Sequence, residues 1–285
     1  MSMHSFGLNC RGRLVEYYKP VVMGILNVTA DSFYDGGRYN SAEALLAHAR
    51  ALLVEGADIL DVGVVSTRPG AQLLEPGEEA KKLAGVVRLL RKELPSDVVI
   101  SVDTCFSLPA QQALDEGADI VNDISGGLFD EEMFPMVARR GVPYVLMHNI
   151  ATPDRMQQQA RYDDVVREVA QFFSHQLHRL YTLGAQDVIL DPGFGFGKTM
   201  EHNYQLFANI PTLVRLFPHQ PLLVALSRKS MIYKLLGITP QEALAGTVAL
   251  DAQALLMGAA MIRVHDVKEA VQTVRLYEQF RPSLQ

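Results

Sequence analysis

Cysteine is scarce in this sequence, and its scarcity excludes one class of fold. The 285-residue chain carries two, Cys10 and Cys105, too few and too far apart for a disulfide framework. Free thiols fit a reducing compartment, and lone cysteines ordinarily behave as small hydrophobes, so both read as structural. Long apolar runs are missing as well; no stretch approaches the ~18 residues of a membrane span. The opening MSMHSFGLNCRGR lacks the apolar core of a signal peptide, and a cytoplasmic location is expected. No basic run occurs and the formal net charge is −6. Nucleic-acid-binding proteins usually carry a cationic stripe, so nucleic acid is set aside as a partner together with the membrane. No G-x-G-x-x-G follows the first apolar run, and no G-x-S-x-G is found, which argues against a dinucleotide fold and a serine-nucleophile hydrolase.

What is present is ordinary globular composition, 48% hydrophobic and 20% charged, in one repeating alternation. β-rich apolar runs occur at residues 21–28, 58–65, 98–103, 119–125, 142–148, 187–193, 221–227 and 260–266. Most are continuous rather than alternating, as strands covered on both faces are. Amphipathic segments of helical period lie between them. Ser41 and Thr239 are candidate N-caps, and Gly-Ala pairs close the helices ahead of the second, fourth, sixth and eighth strands. Eight β–α units in strict order predict an α/β fold, a closed (β/α)8 TIM barrel. The competing architecture, an open doubly wound sheet, usually has fewer strands and often the Gly-rich turn that is absent here. No linker or shift of composition marks a second domain within 1–285. Residues 1–19 are expected to form an N-terminal hairpin or plug at the bottom of the barrel.

Chemistry in this fold gathers at the C-terminal ends of the strands. Those ends carry Asn27, Asp61, Asp103, Asn122 with Asp123, His148, Asp191, Ser227 through Lys229, and Arg263 with His265. Asp103, Asn122, Asp191 and Lys229 supply donors and acceptors suited to a nitrogen heterocycle. Arg68, Arg263 and His265 supply a cationic set suited to phosphate or pyrophosphate. Arg228 is either part of that set or a solvated loop charge. His148, among apolar residues, reads as a satisfied core histidine, and Asp123 as the brace of a loop. The segment DPGFGFGK ends like a P-loop, but Pro192 stands where the motif needs its first glycine, so the P-loop is rejected. Its phenylalanines read as walls for a flat ring.

The ordered set MGILNVTADSFYDGG, DVGVVSTRPGA, SVDT, NDISG, MH, DPGFGFGK, SRKS and RVHDV resembles the dihydropteroate synthase family over residues 20 to 280. The resemblance implies one pterin-binding barrel domain, usually a homodimer. It also implies condensation of 6-hydroxymethyl-7,8-dihydropterin pyrophosphate with p-aminobenzoate in folate synthesis, with release of pyrophosphate. By motif it places the pterin against Asp103, Asn122, Asp191 and Lys229, with Ile124, Met147 and Phe196 nearby. It gives the pyrophosphate to Asn27, Arg68, Arg263 and His265, with Mg2+ on Asn27. Loops carrying Asp31, Phe33, Asp35, Thr67, Arg68 and Pro69 would close over p-aminobenzoate, with Phe196, Lys229 and Ser230 beside it. The chain departs from the family pattern at Ala30, Val64, Val65 and Ala151. Two other readings compete: a pterin-dependent methyltransferase barrel with a corrinoid partner, and a non-catalytic pterin-binding homologue. Neither explains the complete anion set.

Overall fold

The computed structural model describes residues 5–28, 38–64, 74–150 and 161–280. Strands β1 (Phe6–Cys10) and β2 (Arg13–Tyr17) form an antiparallel hairpin, with Phe6 opposite Tyr17 and Cys10 opposite Arg13. Its turn, Arg11-Gly12, has φ of 54° and 76°, the left-handed backbone that a tight hairpin turn requires.

The eight expected strands follow: β3 (Val21–Asn27), β4 (Ile59–Gly63), β5 (Val99–Asp103), β6 (Ile120–Asp123), β7 (Tyr144–Met147), β8 (Val188–Asp191), β9 (Leu223–Val224) and β10 (Met261–Val264). They pair in parallel in the order β8-β7-β6-β5-β4-β3-β10-β9. A bridge between Leu190 and Leu222 joins β8 to the start of β9 and closes the barrel. The seventh run was expected over 221–227 and is a strand only at Leu223–Val224.

Strand parity divides the apolar residues into two bodies, because successive side chains point to opposite faces. Leu60, Val62, Ile100, Val102, Val121, Leu146, Leu190 and Ile262 point outward and pack under the helices. Val21, Met23, Ile59, Val99, Ile120, Val145, Ile189 and Met261 point inward, and Leu8, Cys10 and Tyr17 of the hairpin close over them. The hairpin is therefore the expected plug. Polar bonds fix it in place: Asn9 N donates to Asp187 Oδ2 at 2.7 Å and Arg11 Nε to Asp119 Oδ1 at 2.7 Å.

The four Gly-Ala pairs stop helices as expected. Gly56, Gly117, Gly184 and Gly258 have φ of 104°, 103°, 95° and 103°. The alanine after each donates back five residues, for example Ala57 N to Leu52 O at 2.9 Å and Ala185 N to Leu180 O at 3.1 Å, which satisfies carbonyls left open at a helix end. Thr239 heads the short 3-10 turn Pro240–Glu242, donating from Oγ1 to Glu242 Oε2 at 2.8 Å. Ser41, expected at a helix start, stands inside the helix Arg38–Glu55.

Two expectations about stability follow. A Cβ added at Gly184 or at Gly85, inside the helix Pro76–Glu93, meets no atom within 4 Å, so only backbone terms differ. Gly184→Ala should cost about 1–2 kcal/mol for forcing a side chain into positive φ, while Gly85→Ala should stabilise by about 0.5–1 kcal/mol. Thermal denaturation should show melting shifts of opposite sign.

The second concerns Asp251, buried on the helix Leu244–Leu256, with Oδ1 bonded to no described residue. Burial, reinforced by Asp266, pushes its carboxyl up to about 8, above the ordinary value of about 3.9. The folded state thus holds a proton that the unfolded state has lost. The stabilisation is complete below pH ~4 and is lost as pH rises through about 8. Asp251→Asn should gain on the wild type from pH 5 to 8 and stop gaining above, as read from melting temperatures in buffers across that range.

Candidate functional site

The inward parity that buries Ile59, Val99, Ile120, Ile189 and Met261 on the plug carries Asp61, Asp103, Asn122, Asp191 and Arg263 into the upper interior. Polar side chains there are costly unless paired, and the structure pairs them. Arg263 Nε donates to Asp61 Oδ2 at 2.6 Å, and Arg263 Nη2 donates to Asp103 Oδ2 at 2.8 Å. Asn122 Nδ2 donates to the same Asp61 Oδ2 at 3.1 Å. One guanidinium and one carboxylate thus tie together β4, β5, β6 and β10. Asp61 Oδ1 and Asp103 Oδ1 are buried and accept from no described residue, so each keeps an acceptor for a ligand's N–H. Burial, only partly offset by Arg263, pushes the Asp103 carboxyl well above the usual carboxylate range.

Arg263 of the expected cationic set is bonded to Asp103 of the expected heterocycle set, so the two sets meet in one hydrogen-bonded floor. Arg263 sits inside the acidic floor rather than apart from it. Asp61 was among the strand-end residues but received no role, and here it is the hub. Its signal was available: it lies one inward step above Ile59, which faces the plug.

Asp191, the last residue of β8, accepts from Gly193 N at 2.8 Å. Burial pushes its carboxyl up against the pull of Lys229. Lys229 is pushed down to about 8 by burial, with Asp191 opposing; its Nζ donates to Phe194 O and lies 5.0 Å from the Phe196 ring centroid. Cys105, Ile124 and Met147 form a separate buried apolar cluster, with Phe106, Phe129 and Phe196 packed on it. The three residues named as ring neighbours, Ile124, Met147 and Phe196, are therefore one surface.

His148 and Lys198 are a buried pair, Nζ to Nδ1 at 2.9 Å, and Lys198 also donates to Gly193 O at 3.0 Å and Phe196 O at 3.2 Å. His148 is thus a satisfied core residue, as expected, and burial holds it neutral. Lys198 is a post under the loop after β8 and offers no phosphate contact of the P-loop kind. Thr199, which follows it, caps the helix Met200–Ala208. Asp123 braces its loop as expected, accepting from Ser125 N at 2.7 Å, Gly127 N at 2.9 Å and Tyr144 Oη at 2.5 Å. Glu79, on the helix Pro76–Glu93, is buried, and burial pushes its carboxyl up to about 7 with Thr104 opposing.

The segments after β9 and β10 are cross-linked. Arg228 makes a two-point pair with Asp266, at 3.0 and 2.5 Å, so it is a paired loop charge rather than a spare cation. Its φ of 56° is unusual for a side-chain-bearing residue, and Arg228 N is held by Thr247 Oγ1 at 3.1 Å. Ser227 contacts His265, whose residue is exposed, and Ser230 opens the helix Ser230–Leu236. Val64, one of the departures, is 5% exposed and packs into the outer core. Of the expected site residues, Phe33, Thr67, Arg68 and Pro69 lie outside the described residues, as do Asp31, Asp35, Ala30, Val65 and Ala151.

Among the described residues, no cluster of three His, Cys, Asp or Glu side chains could hold a metal. Asn27 is exposed at the end of β3. A Cβ on Gly63 would stand 3.4 Å from Asn27 Oδ1 and 3.8 Å from Asp103 Oδ2, so the ends of β3, β4 and β5 converge at this glycine. One amide oxygen fits a cation that takes most of its ligands from water and phosphate, as Mg2+ does.

Comparison with known proteins points the same way. A family model described as pterin binding enzyme matches residues 23–265. A dihydropteroate synthase of Synechocystis sp. is 44% identical over 258 residues, covering 90% of this chain and 88% of that one. The crystal structure of the Yersinia pestis dihydropteroate synthase with a sulfonamide drug complex superposes with a TM-score of 0.88 at 39% identity, covering 98% and 100% of the two chains. The Xanthomonas albilineans dihydropteroate synthase with 4-aminobenzoic acid gives 0.87 at 38% identity, covering 98% and 99%.

Asp61→Ala should destabilise the fold by about 3 kcal/mol, since it strips one acceptor from a buried guanidinium and the only described one from the Asn122 amide. Urea denaturation measures this; a loss below 1 kcal/mol would mean that Asp61 is not the hub of the floor.

Proposed function

Because this chain belongs to the pterin binding enzymes, and among them to the dihydropteroate synthases, we propose that it joins 6-hydroxymethyl-7,8-dihydropterin pyrophosphate to p-aminobenzoate, giving 7,8-dihydropteroate and pyrophosphate. The observation that carries the reading at this chain's own residues is the floor built by Asp61, Arg263, Asp103 and Asn122, open acceptors included, beside an apolar shelf.

The pterin edge, rich in N–H donors, matches Asp103 Oδ1, Asp191 and the Asn122 amide, with Lys229 as the donor to a ring acceptor. Asn122 keeps its carbonyl for the ligand because one of its N–H groups is given to Asp61. Ile124, Met147 and Phe196 supply flat apolar contact to the ring. The pyrophosphate lies toward Asn27, His265 and Arg263, with Arg68 assigned by family pattern. Mg2+ bound at Asn27 would neutralise charge on the phosphate oxygens. Arg263 and His265 stabilise the charge that develops as the C–O bond breaks. The cation left on the pterin is delocalised over the ring, and Asp103 and Asp191 stabilise it electrostatically. The arylamine nitrogen then forms the C–N bond and loses a proton. No covalent enzyme intermediate is needed, in keeping with thiols that are buried and pushed up by burial. The p-aminobenzoate site takes Phe196, Lys229 and Ser230 together with Phe33, Thr67, Arg68 and Pro69. We also propose a homodimer, from the family pattern, and a cytoplasmic location, from the sequence; no helix among the described residues is long and apolar enough to cross a membrane.

The test is pyrophosphate release with both substrates and with each alone. Release should require both, and no release would end the reading. His265→Ala should weaken pterin pyrophosphate by about tenfold, the scale of one charge-assisted hydrogen bond, and leave the pterin alcohol unaffected. Arg263→Ala should weaken both ligands, because it also leaves Asp61 and Asp103 uncompensated. Isothermal titration with the two ligands distinguishes them; equal losses in both variants would refute the division.

A further inference from the structure

Ser227 and His265 meet twice across the ends of neighbouring strands. The His265 backbone N–H donates to Ser227 Oγ at 3.1 Å, and the same Oγ stands 3.0 Å from His265 Nδ1. Ser227 is buried, 6% exposed. A serine hydroxyl has one proton to donate and two lone pairs to accept with. The backbone amide uses one lone pair. Two arrangements remain for the ring contact: Nδ1–H donates to the second lone pair, or Nδ1 accepts the hydroxyl proton. The first leaves the hydroxyl proton without an acceptor among the described residues, and a buried unmatched donor is unfavourable. The second matches every group in the contact. Turning the imidazole over would set a ring C–H against the hydroxyl and leave the same proton unmatched, so the ring orientation is fixed by the same accounting.

We infer that Ser227 is a positioning residue that holds neutral His265 with its proton on Nε2, so that the imidazole can donate its Nε2–H to the departing pyrophosphate. The consequence is specific: His265 need not be protonated beforehand to act at the anion end. The Arg228–Asp266 pair lies one residue beyond each partner and joins the same two segments at 3.0 and 2.5 Å. It keeps Ser227 and His265 in register. This inference rests on the proposed reading of His265 as an anion ligand, and its test separates the two.

The full-length protein labelled with 15N-histidine is observed in long-range 1H–15N spectra at alkaline pH, where the imidazoles are neutral. His265 is assigned by the signals missing from His265→Gln. Wild type should show a protonated-type shift at Nε2 and an unprotonated-type shift at Nδ1. Ser227→Ala should move both toward the averaged values of a tautomer mixture, and Ser227→Thr, which keeps the hydroxyl, should restore the wild-type pattern. Titration with inorganic pyrophosphate should show binding weakened about five- to tenfold in Ser227→Ala, as expected for one misplaced hydrogen bond. Ser227→Thr should bind as wild type does. A protonated-type shift at Nδ1 in wild type, or an unchanged spectrum in Ser227→Ala, would overturn the inference. If the shifts behave as stated but His265→Gln binds pyrophosphate normally, the role toward pyrophosphate is overturned and the tautomer assignment stands.

Discussion

A guanidinium held between two buried carboxylates is the contact on which this molecule's interior depends. Arg263 lies 18% exposed between Asp61 and Asp103, which are 0% and 7% exposed. Two carboxylates in that space without the cation would repel and draw water. The cation without them would be an unpaired charge in a low-dielectric interior, which is among the most costly things a fold can contain. Together they let the inside of a parallel barrel change from apolar at the plug to polar within one inward step on β4, β5, β6, β8 and β10. Asn122 joins through Asp61, and Asp103 carries the arrangement up toward Gly63 and Asn27. The floor is thus built into the sheet rather than hung on loops, which is where an arrangement of fixed donors and acceptors is held most rigidly.

The sequence made the scaffold legible because the scaffold is local. Each strand is a run of β-branched and aliphatic residues with a helix of its own period beside it, and each Gly-Ala pair is a stop written in two letters. All four such glycines have positive φ and all four alanines close the same backbone bond. Ser41 misled because a hydroxyl ahead of an apolar run suits an N-cap, yet here the helix begins three residues earlier. Strand β9 shrank to two residues although its run had seven, since its pairing is set by the barrel's closure rather than by its own composition.

The candidate site was legible as a set of residues but not as a circuit. That Asp103, Asn122, Asp191 and Arg263 stand at strand ends follows from counting. That Arg263 bonds Asp61 across 202 positions and Asp103 across 160 follows from no local pattern, and without it Asp61 had nothing to distinguish it. Ser227 was passed over for the same reason: a serine beside two cations in SRKS looks like part of an anion loop, and only its distance to His265 gives it another task. Lys198 looked like the end of a nucleotide motif, whereas its burial against His148 makes it a strut.

The hairpin plug has a consequence for traffic. With Leu8, Cys10 and Tyr17 packed over the lower interior, the barrel formed by the described residues is a well closed at its lower end. Whatever lies on the Asp61–Arg263–Asp103 floor has to arrive before anything that rests above it, and it cannot leave until that upper occupant has gone. Depth along the barrel axis is then enough to set an order of entry and exit. A molecule that occupies only the upper level, reaching the shelf without the floor, would find its seat unfinished until the deeper one is filled.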